Sequence, residues 1–162
     1  MRPRAKLAAT LLALLPLPAV TVAADLHRLW DDRCTECHGH AGEFARRFLT
    51  VVDGELRGRH QDRDLRQFLQ NHYFKNSEIE PVLAMLLAQV SSEPLFKERC
   101  LGCHGTASEL ARQSLELREG IVYVRRSGQP VSEFLRHHAG LQEPELAFFA
   151  DLLARVTRET ER

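Results

Sequence analysis

Cys34-Thr35-Glu36-Cys37-His38 and Cys100-Leu101-Gly102-Cys103-His104 are the two segments of this 162-residue chain whose residue types and spacing point to chemistry. Two thiols three positions apart in a tight turn lie on one side of it, where both can add to the vinyl groups of a single porphyrin. The residue after the second thiol is a histidine, placed to meet the iron from the same side. The pattern predicts two covalently bound haem c groups. Cys34 and Cys37 would hold one, with His38 as proximal iron ligand; Cys100 and Cys103 would hold the other, with His104. Three rival readings use the same residues. A disulfide is the ordinary expectation for cysteines in an oxidising compartment. A redox-active Cys-x-x-Cys pair needs a βαβ setting that the sequence lacks. A structural zinc would leave each segment short of a fourth ligand unless the two halves shared one metal. The redox-pair reading also leaves unexplained why a histidine follows both times.

The two segments are 66 residues apart, and the offset extends well beyond them. Sliding the chain on itself by 66 aligns Leu29–Val90 with Leu95–Val156 without a gap, and 21 of those 62 pairs are identical. An internal repeat of this kind predicts two units of one plan, 25–91 and 92–162, joined near Ser91-Ser92. It also narrows the choice of distal ligand. Beyond residue 24 the only methionine is Met85, whose counterpart is Asp151, so a thioether cannot serve both irons. Of the histidines outside the motifs only His72 and His138 recur at the offset, each 34 residues after its proximal histidine. Bis-His ligation through His72 and His138 is the expectation, with Met85 on the first iron or an open distal position as the rivals. Such haems are low-potential carriers, because an axial methionine raises the potential and an imidazole does not. Arg59 and Arg125 also recur and are candidates for haem propionates, against the plainer reading of exposed strand-end charges. His27, His40 and His60 have no counterparts and read as surface residues.

Positioning these groups falls to a mainly helical frame. In each unit a short helix leads into the motif: Leu26, Leu29, Trp30 and Arg33 in the first, Leu95 and Phe96 after a Ser92-Glu93-Pro94 start in the second. The segment Phe44–Val52, Asp53-Gly54 and Glu55–Arg59 reads as a small β-hairpin, as do Leu115–Leu117, Glu119-Gly120 and Ile121–Arg125. Leu65, Phe68, Leu69 and His72 share one helical face, as do Val131, Phe134, Leu135 and His138. A last helix carries Val82, Leu83, Leu86, Leu87 and Val90, matched by Phe148, Phe149, Leu152, Leu153 and Val156. About three helices and one hairpin per unit follow, with the charged tail after Val156 read as a fraying end. A unit near 65 residues buries little surface, and a porphyrin fixed through thioethers would enlarge its core.

The chain opens with Arg2, Arg4 and Lys6, an apolar run from Leu7 to Val22, and Ala23-Ala24. That reads as a secretory leader over residues 1–24, cleaved before Asp25; the rival is an uncleaved anchor, for which the run is short and broken by Pro16 and Pro18. No other stretch reaches membrane length, so the mature chain is expected not to be an integral membrane protein. Removing the three leader cations from the 22 basic residues leaves 19 against 22 acidic ones, a balance of −3 that speaks against nucleic acid as a partner.

With both pentapeptides and the leader in view, the chain resembles the bacterial periplasmic dihaem c-type cytochromes. The resemblance implies a periplasmic protein, haem attachment outside the cytoplasm, and electron transfer between redox partner proteins rather than catalysis. The chain departs from single-haem carriers of this kind, since no methionine follows the second motif and a hairpin precedes the distal helix. The alternative from another class is an enzyme or sensor in which one haem binds peroxide, oxygen or nitric oxide while the other relays electrons. A peroxidase would need acid–base groups in its distal pocket, and His137 beside His138 is the only hint of one.

Overall fold

The computed structural model describes residues 24–59 and 64–161. Residues 1–23 of the leader expected over 1–24, and His60, lie outside them. The first half runs α1 (Leu26–Arg33), α2 (Thr35–His38), α3 (Ala41–Phe48), β1 (Leu49–Val52), β2 (Glu55–Gly58), α4 (Leu65–Gln70) and α5 (Asn76–Ser91). The second runs α6 (Leu95–Arg99), α7 (Leu101–His104), α8 (Ala107–Ser114), β3 (Leu115–Arg118), β4 (Ile121–Val124), α9 (Val131–Phe134), a 3-10 turn (Leu135–His137) and α10 (Glu145–Thr160). The chain is thus mainly helical with two small antiparallel two-stranded sheets. Among the described residues no helix is long and apolar enough to cross a membrane.

Both hairpins form where the sequence asks for them. Leu49 pairs with Gly58 and Val52 with Glu55; Leu115 pairs with Val124 and Arg118 with Ile121. The two central residues of each turn have left-handed backbone, φ 52° and 79° at Asp53-Gly54, φ 50° and 83° at Glu119-Gly120. Two positive φ values in succession give the mirror-image turn whose twist matches that of paired strands, and glycine at the second position adopts it without strain.

Three features depart from the sequence reading. First, the approach to each hairpin is a helix, α3 or α8, so each half has more helical pieces than three. Local hydrogen bonds explain both starts. The Nδ1 of His40 accepts from the Gly42 N–H at 3.3 Å; Thr106 accepts from the Glu109 N–H while Glu109 accepts from the Thr106 N–H, a reciprocal cap. Second, the helices before His72 and His138 stop early. α4 ends at Gln70, and α9 gives way to the 3-10 turn, so each imidazole sits just past a helix rather than on its face. Third, the tail after Val156 does not fray: α10 continues to Thr160, with Thr157 and Glu159 buried.

Apolar side chains gather in two clusters. One is built on Leu26, Leu29, Trp30, Ala45, Val82, Met85 and Leu86, the other on Phe96, Ala111, Leu115, Phe149, Leu153 and Val156. Charged groups tie the halves together. Arg112 Nε lies 2.7 Å from Asp25 Oδ2, Lys97 Nζ lies 2.7 Å from Glu43 Oε1, and His27 Nε2 lies 2.8 Å from Glu159 Oε2. The last of these corrects the surface placement expected for His27, which is buried because α10 supplies it with a carboxylate.

Candidate functional site

Each Cys-x-x-Cys-His segment winds into a single helical turn. In the first, the N–H groups of Cys37 and His38 donate to Cys34 O at 3.2 and 2.8 Å. In the second, those of Cys103 and His104 donate to Cys100 O, both at 3.1 Å. Three positions in such a turn bring the two cysteines of a segment to one side. A glycine with positive φ then ends each turn, Gly39 at 67° and Gly105 at 68°. Trp30 clamps the first by donating its indole N–H to Gly39 O at 3.0 Å.

None of the four cysteines is paired in a disulfide. Burial pushes the Cys34 thiol up, against the nearby Arg33 guanidinium, and it pushes the Cys100 thiol up, against Arg99. A redox-active pair lowers one thiol to expose a thiolate; here the first cysteine of each segment is shifted the other way. Among the described residues no group of three or more His, Cys, Asp or Glu side chains converges as a tetrahedral metal site requires.

What does converge is a pair of imidazoles, twice. His38 and His72 have ring centroids 6.0 Å apart with planes inclined at 64°. His104 and His138 have centroids 5.7 Å apart with planes inclined at 53°. An imidazole nitrogen lies about 2.0–2.1 Å from a first-row metal and the ring centre about 1.1 Å beyond, so two imidazoles opposite each other on one ion have centroids roughly 6.3 Å apart. Both pairs come within about 0.6 Å of that spacing, so their residues fit a single iron held between them. The rings of His72 and His138 each lie against a phenylalanine four residues earlier. Phe68 lies against His72 at 4.6 Å and Phe134 against His138 at 4.9 Å, both inclined at 31°. The residue after each of these two histidines is held in left-handed backbone, Tyr73 at φ 62° and Ala139 at φ 61°. Such a conformation is rare for side-chain-bearing residues and persists where its surroundings fix it.

The surroundings of the two pairs differ. A cavity of about 770 Å3, within the range that holds cofactors, is lined by Cys100, Cys103, His104 and His138 together with an apolar wall that includes Leu115, Val131, Leu135 and Phe149. Around the first pair the neighbours are aromatic: Phe44 is 4.9 Å from His38, Trp30 is 5.2 Å from Phe44, and Tyr73 is 5.0 Å from His72. Phe48, Phe68 and Tyr73 remain exposed there.

Met85 is enclosed in the first apolar cluster, at 1% exposure. Arg59 gives its guanidinium to backbone, Nε donating to Leu49 O at 2.8 Å and Nη2 to Arg46 O at 3.0 Å. Arg125 lines the second cavity and faces Glu116 and Glu161 at 3.8 and 3.7 Å. His137 is exposed. Sequence reasoning overlooked two further cavity residues, Arg99 and Arg126. Arg99 carried a signal, since it recurs as Arg33; Arg126 carried none, because position 60 is His60. Among known proteins no family matches the chain, and no curated protein or solved structure does so either.

Proposed function

We propose that this chain is an exported electron carrier with two covalently attached haems, one in each half of an internally duplicated sequence. Cys34 and Cys37 hold the first haem with His38 and His72 on its iron; Cys100 and Cys103 hold the second with His104 and His138. The observation that carries this reading is the recurrence of close imidazole pairs, with ring centroids 6.0 and 5.7 Å apart, each with one member inside a Cys-x-x-Cys-His turn. A duplicated origin is supported by element bounds as well as sequence: β1 and β3, β2 and β4, α3 and α8 each begin 66 residues apart.

A bound haem supplies a one-electron step between ferric and ferrous iron. The chain's residues do the rest. The two thiols of each segment would fix the ring's position, and the two imidazoles of each pair would hold the iron and exclude small ligands from it. Phe68 and Phe134 hold the distal rings against rotation. Apolar walls lower the local dielectric, which disfavours the more charged ferric state and so limits how far the second imidazole depresses the potential. Periplasmic localisation and redox protein partners belong to the same proposal.

The test is direct. The exported protein should exceed its polypeptide mass by two haems and give the pyridine haemochrome spectrum of thioether-linked haem. His72→Ala and His138→Ala should each convert one haem to a form that binds carbon monoxide when reduced, while the parent protein shows no Soret shift with the gas. A parent protein that binds carbon monoxide rapidly at one haem would instead favour the ligand-binding alternative. A mass equal to the bare chain would end the proposal.

A further inference from the structure

Immediately after β4 the chain turns over Arg125–Gly128. The Gly128 N–H donates to Val124 O at 2.8 Å and the Val124 N–H donates to Gln129 O at 2.9 Å, which fixes the turn. It sets Arg125 and Arg126 on the lining of the cavity that contains Cys100, Cys103, His104 and His138. A third, Arg99, comes from α6. Two of the three are matched by acids. Arg125 faces Glu116 and Glu161, and Arg99 Nε lies 3.4 Å from Glu145 Oε1. Arg126 has no hydrogen bond or ion pair with any described residue.

Arginine keeps its charge at every pH a folded protein meets. Its planar fork matches a carboxylate through two parallel bonds, stronger than neutral ones. An unmatched guanidinium beside a largely apolar cavity is therefore suited to an anionic ligand that projects from that cavity. A porphyrin carries two carboxylates on one edge. Resting on the two-haem reading, we propose that Arg126 holds a propionate of the second haem and thereby raises that haem's potential. At the position matching Arg126 the first half carries His60 instead of an arginine, and the Arg59 guanidinium is engaged by the carbonyls of Leu49 and Arg46. The effect is therefore specific to one haem.

The sign follows from charge. Reduction adds an electron next to the propionate, so a cation that neutralises the carboxylate favours the ferrous state. Removing it favours the ferric state and lets the released carboxylate take up a proton nearer neutral pH.

The experiment uses the full exported protein, with haem content checked first by mass and pyridine haemochrome. Potentials of both haems are then measured by spectroelectrochemistry for the parent, Arg126→Gln, Arg126→Lys and the control Arg158→Gln, which removes an exposed cation from α10 outside the cavity. Arg126→Gln should shift the ferric–ferrous equilibrium of one haem about tenfold toward ferric, which is about 59 mV for one electron, and steepen its pH dependence. Arg126→Lys should shift it less, because the charge stays and the fork is lost. The other haem and the Arg158→Gln control should not move. Two attached haems with unchanged potentials in Arg126→Gln would overturn this proposal while leaving the haem reading intact. Equal shifts in Arg126→Gln and Arg158→Gln would overturn it too, since any surface cation would then serve. A protein without haem would remove both.

Discussion

Replacing His27 and Glu159 with alanine, singly and together, tests whether the opening helix is locked to the closing one. Both side chains are nearly out of solvent, at 8% and 11% exposure, and His27 Nε2 lies 2.8 Å from Glu159 Oε2. Glu159 has a second partner: Arg155 Nη1 is 3.0 Å from each of its oxygens. A hydrogen bond to a charged group contributes about 1.5–3 kcal/mol, and a buried group stripped of its partner costs about 1–3 kcal/mol. His27→Ala leaves the carboxylate with Arg155 and should cost about 2 kcal/mol at the lower end of that combination. Glu159→Ala leaves the imidazole buried without an acceptor and should cost about 3 kcal/mol. The double variant should lose less than both together, giving a coupling of about 1–1.5 kcal/mol. Urea unfolding followed by circular dichroism at pH 7 measures all four corners. The pH dependence has a definite sign. Burial alone would raise the Glu159 carboxyl, but the bonds from His27 and Arg155 hold it below the usual range. A depressed folded-state value means the stabilisation is complete above the unfolded value of about 4.3 and fades as pH falls through the folded one. Additivity at pH 7 within about 0.3 kcal/mol would refute the argument, as would a coupling that is undiminished well below pH 4.

Phe149→Ala should destabilise by about 3–5 kcal/mol, because the ring is 1% exposed in the second cluster and its loss opens a cavity; the counterpart Leu83→Ala, at a half-buried site, should cost less in the same urea titration. Ala139→Gly should fall within about 0.5 kcal/mol of neutral, since glycine accepts φ 61° freely and offsets its own entropy cost. Ala111→Gly in the middle of α8 should lose about 1 kcal/mol by the same measurement. A loss at position 139 equal to that at 111 would show that the left-handed backbone there carries no strain.

The elements legible in the sequence were those fixed by local chemistry. Asp53-Gly54 and Glu119-Gly120 demand positive φ, so both hairpins could be placed before any coordinates. The apolar period of α5 and α10 located the faces that bury Val82, Leu86, Phe149 and Leu153. The common offset also anticipated that His72 would lie near His38 and His138 near His104, whose ring centroids are 6.0 and 5.7 Å apart. Other features depended on distant partners. His27 looked like a surface residue because its acceptor arrives 132 positions later. The early ends of α4 and α9 were hidden because a period of 3.6 residues continues through Leu69 and Leu135 into the histidines, while the backbone turns away to aim them. α3 and α8 were obscured by merging their last residues with the strands they enter without a connecting loop.

The latch between α1 and α10 also constrains the order in which this chain becomes whole. His27 is synthesised 132 positions ahead of Glu159, so the opening helix waits, its imidazole unmatched, until the closing turn emerges. Contacts so distant in sequence are the slowest to be rewarded, because the whole intervening loop must close first. Removing the last turn of α10 would therefore be felt at α1, 132 positions earlier in the chain.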